Sequence, residues 1–379
     1  MRTFTIIILL LALPRAGRAD SGQPDTIVSR PRGPVARLVD YLSTTNRPDT
    51  TRRFDLSLIG GPYYSSENKL GMGLVAAGLY HGHPHDTLTS QVNLYVDVSV
   101  TGYYKLGVDG IHYVGAAGHR LVYEASFESM PDRYWGMGYA AGSNGDNETK
   151  YKKWHAQLDG ALLLRLPVAH LYVGPHVMAD YLAARHIANA TLWGGQRLHT
   201  FTASVGMKAE YDTRDSRYNA HRGLYAALDQ LFAPRFLGNH YAFASTELRC
   251  NGDVGVWKGG TLAGSLHTRL TYGDTPWGLM AKVGGSYTLR GYWEGRYNDK
   301  CAADATVELR QRVYGRHGAV AWAGVGEVFA HPRDLFAGHA LPNAGLGYRW
   351  EFKKDVNIRL DCGFGRHGYG IIFNLNEAF

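Results

Sequence analysis

The tripeptide Arg290-Gly291-Tyr292 places three side chains with different physical roles inside one long, glycine-rich segment. A guanidinium is planar and permanently charged, so it can bind a carboxylate through two parallel hydrogen bonds. Glycine allows the backbone to turn sharply, and the tyrosine ring offers a surface that can pack against a wall. The chemistry of this segment is therefore charge pairing, and its partner must come from the surrounding elements.

Other combinations of reactive side chains give weaker evidence of a functional site. A metal-like spacing occurs in three histidines, His81, His83 and His85. Neighbouring residues of a short turn rarely converge on one ion, so we expect a polar turn and no metal site. The chain has neither a G-x-S-x-G nor an H-E-x-x-H sequence, and an enzyme or a cofactor is not expected. Three widely spaced cysteines do not form a disulfide framework; they are Cys250, Cys301 and Cys362.

The first 19 residues have the pattern of a secretory signal peptide. Arg2 supplies the positive charge, Ile6–Leu13 is a short apolar core, and Gly17-Arg18-Ala19 fits a small-x-small cleavage site. This apolar run is shorter than the ~20 residues that a membrane-spanning helix needs. We expect export through a cleaved signal peptide at 1–19, followed at 20–53 by a periplasmic leader with room for one short helix.

Composition narrows the class of protein further. Glycine (47 of 379) and tyrosine (25) are frequent, which suits strands that carry aromatic girdles at two membrane interfaces. The net charge of +7 comes from scattered lysines and arginines. Without a basic run, nucleic acid is not expected as a partner, whereas an anionic membrane surface is. The alternatives are a soluble secreted protein and a membrane β-barrel.

From Phe54 onward, apolar and polar residues alternate, which marks strands with two different faces. In "VNIRLDCGFG", Leu360 and Phe364 lie on one face, and Arg359 and Asp361 on the other. In a membrane barrel the apolar face meets lipid and the charged face lines the lumen. Sixteen strand candidates, most of them longer than the ~9–11 residues needed to span a bilayer, predict an all-β transmembrane antiparallel barrel over residues 54–379. Odd-numbered connections would lie outside the cell.

The last strand candidate, Tyr369–Phe379, has an apolar face that is interrupted by Glu377. That face consists of Ile371, Phe373, Leu375 and Phe379. An aromatic residue that closes an alternating strand is an assembly signal in bacterial barrels. We therefore assign Phe373, Leu375 and Phe379 to the closing seam and the assembly signal.

Several motifs of the sequence resemble those of a known protein family. "LRGY" (Leu289–Tyr292) is similar to a motif in the sixth extracellular loop of the BamA/TamA family, the bacterial surface-antigen superfamily of outer-membrane barrels. The motif lies between the eleventh and twelfth strand candidates, as in that family. "YDTRDSRYNAHRGLYAAL" resembles the family's Asp-x-Arg-Asp…Pro-x-Arg-Gly stretch, although His221 follows Ala220 where a proline is common. Its matching residues are Asp212, Arg214, Asp215, Arg222 and Gly223. The final hairpin is similar as well, so the resemblance covers the whole barrel.

The resemblance implies that the long loop folds into the lumen and that its arginine pairs with acidic residues of the inner wall. Alternation in "TVELRQRV" turns Glu308 toward the lumen, so Glu308 is a candidate partner of Arg290. We call this contact the lumen lock. The sequence departs from the family at Gly324, where an aspartate is usual, so the lock is expected to be weaker or to rest on Glu308 alone. The insertases of the family carry POTRA domains, for which this chain has no room; a short member without them is expected.

The function implied by the resemblance is assembly, insertion or translocation of outer-membrane or surface proteins. The resemblance also implies a weak seam between the first and last strands. The first strand candidate, Phe54–Gly61, ends in Gly60-Gly61-Pro62, and these residue types weaken a strand. Such a seam could open and lend its edge to a client strand. The alternative is a passive channel or structural barrel with a wet lumen. Expected partners are outer-membrane lipids, client proteins and periplasmic partner subunits.

Overall fold

Sixteen of the alternating segments form a closed antiparallel barrel in the computed structural model, which describes residues 54–80, 88–115, 117–336, 339–353 and 356–379. The predicted fold class and strand number are confirmed. The barrel strands are β1 (Phe54–Ser65), β2 (Lys69–Tyr80), β3 (Ser90–Ser99), β4 (Tyr104–Val114), β5 (His119–Tyr134), β6 (Thr149–Arg165), β7 (Leu171–Arg185), β8 (His199–Asp212), β9 (Gly223–Ala233), β10 (Phe243–Trp257), β11 (Gly260–Gly273), β14 (Cys301–Tyr314), β15 (His317–Phe329), β16 (Leu341–Lys353), β17 (Val356–Gly365) and β18 (Gly368–Leu375).

Neighbouring barrel strands follow one another in the sequence, and β18 returns to β1 to close the ring. The connection between β11 and β14 contains a separate two-stranded sheet, β12 (Ala281–Val283) with β13 (Tyr297–Asp299). A short helix, α1 (Tyr139–Ser143), lies in the connection after β5. Consecutive barrel strands run in opposite directions, so the connections after the fifth and the eleventh strand lie at the same end of the barrel. We call this end the loop rim and the opposite end, which carries residues 213–222, the turn rim.

The two faces of the strands have the polarity of a membrane barrel. Leu94 and Val96 of β3 are 60% and 50% exposed on the outer surface, whereas Arg359 and Asp361 of β17 are fully buried inside. The charged faces therefore enclose the lumen and the apolar faces form the outer surface. Within the described residues, we find no helix with the length and hydrophobicity to cross a membrane.

Several strand boundaries differ from the sequence-based prediction. Strand β1 does not end at Gly61 but continues to Ser65, because β2 pairs with it along its whole length. Strands β5 and β6 continue past the membrane-length segment, and Pro131 pairs with Lys152 within them. Strand β18 is shorter than predicted and ends at Leu375. Pairing across the sheet outweighs the weak local preference of glycine and proline. The predicted signal peptide, the leader and His81, His83 and His85 lie outside the described residues.

Candidate functional site

Arg290 lies in the lumen, where the β12–β13 loop meets the inner wall. Its side chain is 1% exposed, and Nη1 donates to Oδ2 of Asp361 at 2.6 Å. Nη2 donates to Oε2 of Glu308, and the guanidinium stacks on the ring of Trp322 with 3.6 Å to the centroid. One cation thus bridges carboxylates of two strands, β14 and β17.

The expectation that the lock rests on Glu308 alone is wrong, because Asp361 supplies a second carboxylate. The alternation in β17 predicts that Asp361 points into the lumen. The pattern does not show that the Asp361 carboxylate contacts Arg290, which only the structure does. At the position of the missing aspartate, a Cβ on Gly324 would lie 2.7 Å from Oγ1 of Thr306, so there is no space for a side chain. Trp322, two residues earlier, lies under the guanidinium instead.

Gly291 brings the loop backbone against the wall at a distance that other residues do not allow. Its φ of +118° is a conformation that residues with a Cβ rarely adopt. A Cβ at this position would lie 2.7 Å from the carbonyl carbon of Gly363. A Cβ on Gly363 would in turn meet the carbonyl oxygen of Arg290. Two glycines that face each other therefore set the depth to which the loop enters the lumen.

Tyr292 fixes the loop on the side of the final strands. Its hydroxyl donates to the carbonyl oxygen of Pro342 at 2.7 Å and accepts from the amide of Arg366 at 2.9 Å. The side-chain amide of Asn343 donates to the carbonyl oxygen of Arg290. The loop is thus held through its backbone as well as through its charge.

The carboxylates of the lock belong to a longer chain of ion pairs on the inner wall. Arg310 Nε donates to Glu308 at 2.7 Å, and Arg349 binds Asp361 and, through Nε at 2.7 Å, Glu377. A buried carboxylate between two guanidiniums has its desolvation offset on both sides. The lock, β14, β16 and β17 therefore form one charged unit, which sequence reasoning detected only in part.

Aromatic residues close the loop rim above this unit. Two strand ends and two connections contribute to one buried cluster, which contains Tyr134 of β5, Tyr151 of β6, Trp193 and Trp277. The indole Nε1 of Trp277 donates to the carbonyl oxygen of Arg197 at 3.1 Å. The cluster joins the loop after β7 to the loop after β11. Sequence reasoning missed it, because the period-two pattern ends where these residues begin.

The stretch that follows β8 forms a compact turn at the other rim, away from the lock. Arg214 binds the carboxylate of Asp212 through Nε and Nη2, both at 3.0 Å. Asp215 accepts from the amides of His221 and Arg222; partial burial opposes ionisation, but these amides outweigh it and lower the pKa of Asp215. Gly223 has φ +118°, and a Cβ there would lie 2.5 Å from the carbonyl oxygen of Thr213. These residues stabilise the turn at this rim.

The closing seam is short. Strand β1 meets β18 through two register pairs, Tyr64 with Phe373 and Ser65 with Ile372, next to the loop rim. The hydroxyl of Ser66 adds two hydrogen bonds to Ile371: it accepts from the amide at 3.0 Å and donates to the carbonyl oxygen at 3.5 Å. Every other pair of neighbouring barrel strands has at least eight register pairs among the described residues. From Leu56 to Tyr63, β1 has register partners on β2 but none on β18.

The expected seam residues lie differently from the prediction. Gly60, Gly61 and Pro62 are inside β1, on the part of its edge that β18 does not reach. Phe373 takes part in the seam, and Leu375 is the last residue of β18. The assignment of Phe379 to the outer apolar face is wrong. After Leu375 the chain turns into the lumen, where Arg310 Nη2 donates to the carbonyl oxygen of Phe379 at 3.1 Å and its guanidinium lies 5.2 Å from the ring centroid.

Comparisons with known proteins agree with this geometry. The family model of the Omp85 superfamily domain matches residues 89–362. No curated protein sequence matches the chain significantly. Similar solved structures are BamA from Haemophilus ducreyi lacking POTRA domains 1–3 (TM-score 0.57, 11% identity, 86% of this chain and 70% of that chain), CdiB from Acinetobacter baumannii (0.54, 11%, 86% and 60%) and CdiB from Escherichia coli (0.56, 10%, 90% and 70%).

At these identities the structural matches show the shared fold, while the family model shows the relationship. Its match covers more than half of the sequence, from the start of β3 to β17. The chain belongs to the Omp85 superfamily of outer-membrane β-barrel proteins, which are involved in protein assembly or translocation.

Proposed function

We propose that this barrel assists the assembly, insertion or translocation of outer-membrane or surface proteins by lending the edge of β1 to a client strand. The observation that carries this proposal is the seam, in which residues 56–63 have no register partner on β18. These residues already have strand geometry, because β2 holds their other edge.

The physical argument is the cost of an open edge in a membrane. In the hydrocarbon region each unsatisfied backbone group costs several kcal/mol, since no water is present to bind it. An edge of this length therefore favours a partner strand more strongly than it would in water. Adding an extended segment to an exposed edge provides main-chain hydrogen bonds without requiring a particular client sequence. Such a site suits a protein that handles several clients.

The lumen lock supports the same proposal by making one side of the seam rigid. Arg290 ties β14 to β17. Tyr292 ties the loop to Pro342, at the start of the paired region of β16, and to Arg366, the residue after β17. Movement at the seam is then confined to β1 and β18. We further propose that the chain reaches the outer membrane through a cleaved signal peptide and that it works with periplasmic partner subunits.

The test is to deplete the protein in its host and to quantify the outer-membrane proteome. We expect several unrelated barrels or surface proteins to fall together. Wild type should restore them, and Arg290→Ala, present at normal levels, should not. Arg333→Ala is the matched control, since Arg333 is 81% exposed in the connection after β15. An unchanged proteome would contradict the proposal.

A passive channel is the second candidate, and one observation favours it. The lumen between β6 and β11 keeps a polar cavity of about 230 Å³ that is lined by His176, Lys208, Asp229 and Glu247 among others. Single-channel recording separates the candidates. Steady conductance with solute selectivity, together with an unchanged outer-membrane proteome, would identify a channel, whereas a loop-filled assembly barrel should conduct poorly and irregularly.

A further inference from the structure

A cleft of about 300 Å³ lies at the loop rim, between the turn that joins β17 to β18, the β11–β14 connection and the end of β5. Its volume is at the lower end of the range found for ligand pockets. The side chains that matter for its chemistry are Arg133, Glu148, Trp293, Arg296, His367 and Tyr369. We call this cavity the rim cleft.

Three basic side chains meet at the rim cleft without a carboxylate partner. Arg296 Nε donates to the carbonyl oxygen of Gly142 at 2.9 Å, and Arg366 Nη1 donates to the hydroxyl of Tyr139 at 2.6 Å. Among the residues that the structure describes, no carboxylate forms an ion pair with Arg296, Arg366 or His367. Partial burial, and then the charges of the two arginines, lower the pKa of His367, so the potential at this place is positive.

A buried tyrosine fixes the positions of these groups. Tyr297 is fully buried, and its ring centroid lies 6.2 Å from the ring of His367 and 5.9 Å from the guanidinium carbon of Arg296. The ring of Tyr139, which binds Arg366, stacks on Tyr297 at 5.7 Å. The basic groups are therefore held in place before a ligand arrives, which lowers the entropy that binding costs.

The acidic side chains of the rim cleft do not cancel this charge. Glu148 accepts from Arg133 Nη1 at 2.7 Å, so these two charges neutralise each other. Burial, and then the carboxylate of Glu294, raise the pKa of Glu67 to about 8, so Glu67 is largely uncharged at neutral pH. Glu294 itself is exposed to solvent, where its charge is screened. The rim cleft is therefore suited to an anion.

The shape and the position of the rim cleft narrow the kind of anion. Guanidinium groups match the geometry of phosphate oxygens and can bind two of them at once. The volume leaves room for a ring beside the phosphate, and Ser66 and Ser286 line the cleft with polar groups. Tyr369 is 68% exposed on the outer face of β18, and exposed tyrosines at a barrel rim lie at the level of lipid headgroups.

We propose that the rim cleft binds the phosphate group of a phosphorylated sugar, with Arg296 and His367 as its hydrogen-bond donors. With the loop rim outside the cell, this sugar is either the headgroup of a glycolipid in the outer leaflet or a free sugar phosphate. Arg366 contributes to the positive potential from the same turn. The site concerns the barrel by itself and does not depend on the client role.

The test measures binding to the purified full-length barrel in a neutral detergent by native mass spectrometry. The probes are phosphorylated lipid A, dephosphorylated lipid A and glucose 1-phosphate. The phosphorylated lipid should bind more tightly than its dephosphorylated form. Arg296→Gln and His367→Glu should each weaken its binding by about tenfold or more, because one charge-assisted hydrogen bond is lost. His331→Glu is the matched control, since His331 is 60% exposed at the same rim.

Equal affinity for the two forms of lipid A, or the same loss in His331→Glu as in His367→Glu, would overturn the proposal. Only barrels that keep the folded electrophoretic mobility are scored, and His367→Glu, in an exposed turn, decides the result if Arg296→Gln does not fold. Competition by glucose 1-phosphate would support the site and extend its ligands to free sugar phosphates. Binding of phosphorylated lipid A without such competition would support the site and identify the headgroup as its ligand.

Discussion

At the scale of single residues, the barrel depends on one buried cation that neutralises carboxylates from two strands. Arg290, Glu308 and Asp361 are each no more than 1% exposed. Ions in such a place are stable only as a set, because an unpaired charge cannot recover its lost hydration. Removing Arg290 while Glu308 and Asp361 remain should therefore destabilise the barrel strongly, because both carboxylates lose a cation that neutralises them.

Arg290→Ala should lower the free energy of unfolding by about 3–5 kcal/mol, the range found when one partner of a buried ion pair is removed. Arg290→Lys should be intermediate, since an ammonium cannot bind two carboxylates in a planar fork or stack on Trp322 in the same way. The measurement is urea unfolding of the reconstituted barrel. Equal stability of Arg290→Ala and the exposed-site control Arg333→Ala would show that the pairs contribute nothing.

Gly291→Ala tests the backbone contact without changing any charge. We expect a loss of at least ~1 kcal/mol, because the left-handed φ and the close approach to Gly363 both oppose a Cβ. Gly145→Ala is the control, since a Cβ at this position has nothing within 4 Å and its φ is not in the left-handed range. Thermal unfolding of both variants, followed by the change in electrophoretic mobility, gives the comparison; similar melting temperatures would contradict the role of Gly291.

At the scale of elements, the long connection between β11 and β14 acts as a strut across the lumen. Its own sheet, β12 with β13, gives it a stiff base, and Arg290 and Tyr292 fix its tip. It also reaches the hairpin turn between β1 and β2, where the amide of Glu294 donates to Oε1 of Glu67 at 2.8 Å. The strut thus touches both sides of the seam.

The contact of Glu67 with the strut should depend on pH. Burial, and then the nearby carboxylate of Glu294, raise the pKa of Glu67 to about 8. The folded barrel then keeps a proton that the unfolded chain has already lost above its ordinary pKa of 4.5, so stability falls as the pH rises toward 8. Glu67→Gln keeps an oxygen that can accept the bond from Glu294 and removes the titration.

The check is to compare melting temperatures of wild type and Glu67→Gln from pH 5 to pH 9. Wild type should lose stability across this range by more than the variant does. The same dependence of melting temperature on pH in both proteins would mean that Glu67 does not titrate in this range.

The elements were predictable from the sequence to the extent that they alternate. The alternation of apolar and polar residues predicted sixteen strands. It also predicted that Glu308 and Asp361 point into the lumen, because one face of each strand meets lipid and the other face lines the lumen. The alternation did not show which inward residues meet, since that depends on register between distant strands. Beyond Leu375 it failed, because Glu377 is bound by arginines from two other strands and draws the chain off the line of β18.

At the scale of the whole molecule, the barrel is closed firmly around most of its circumference and loosely at one place. Strands β14 to β17 are joined by the lock and the ion pairs, while β1 and β18 share two register pairs. In a ring of strands, the position with the fewest bonds is the one that separates first. The asymmetry directs any opening to a single edge, and that edge belongs to β1.

The most direct test of the client role is site-specific photocrosslinking in living cells. A photoreactive residue replaces Leu58 on the open edge of β1 or Val96 in the interior of the sheet on β3; both side chains point outward, at 58% and 50% exposure. We predict crosslinked adducts with other outer-membrane proteins from position 58 and not from position 96. Adducts absent at position 58, or identical at both positions, would contradict the use of this edge for client strands.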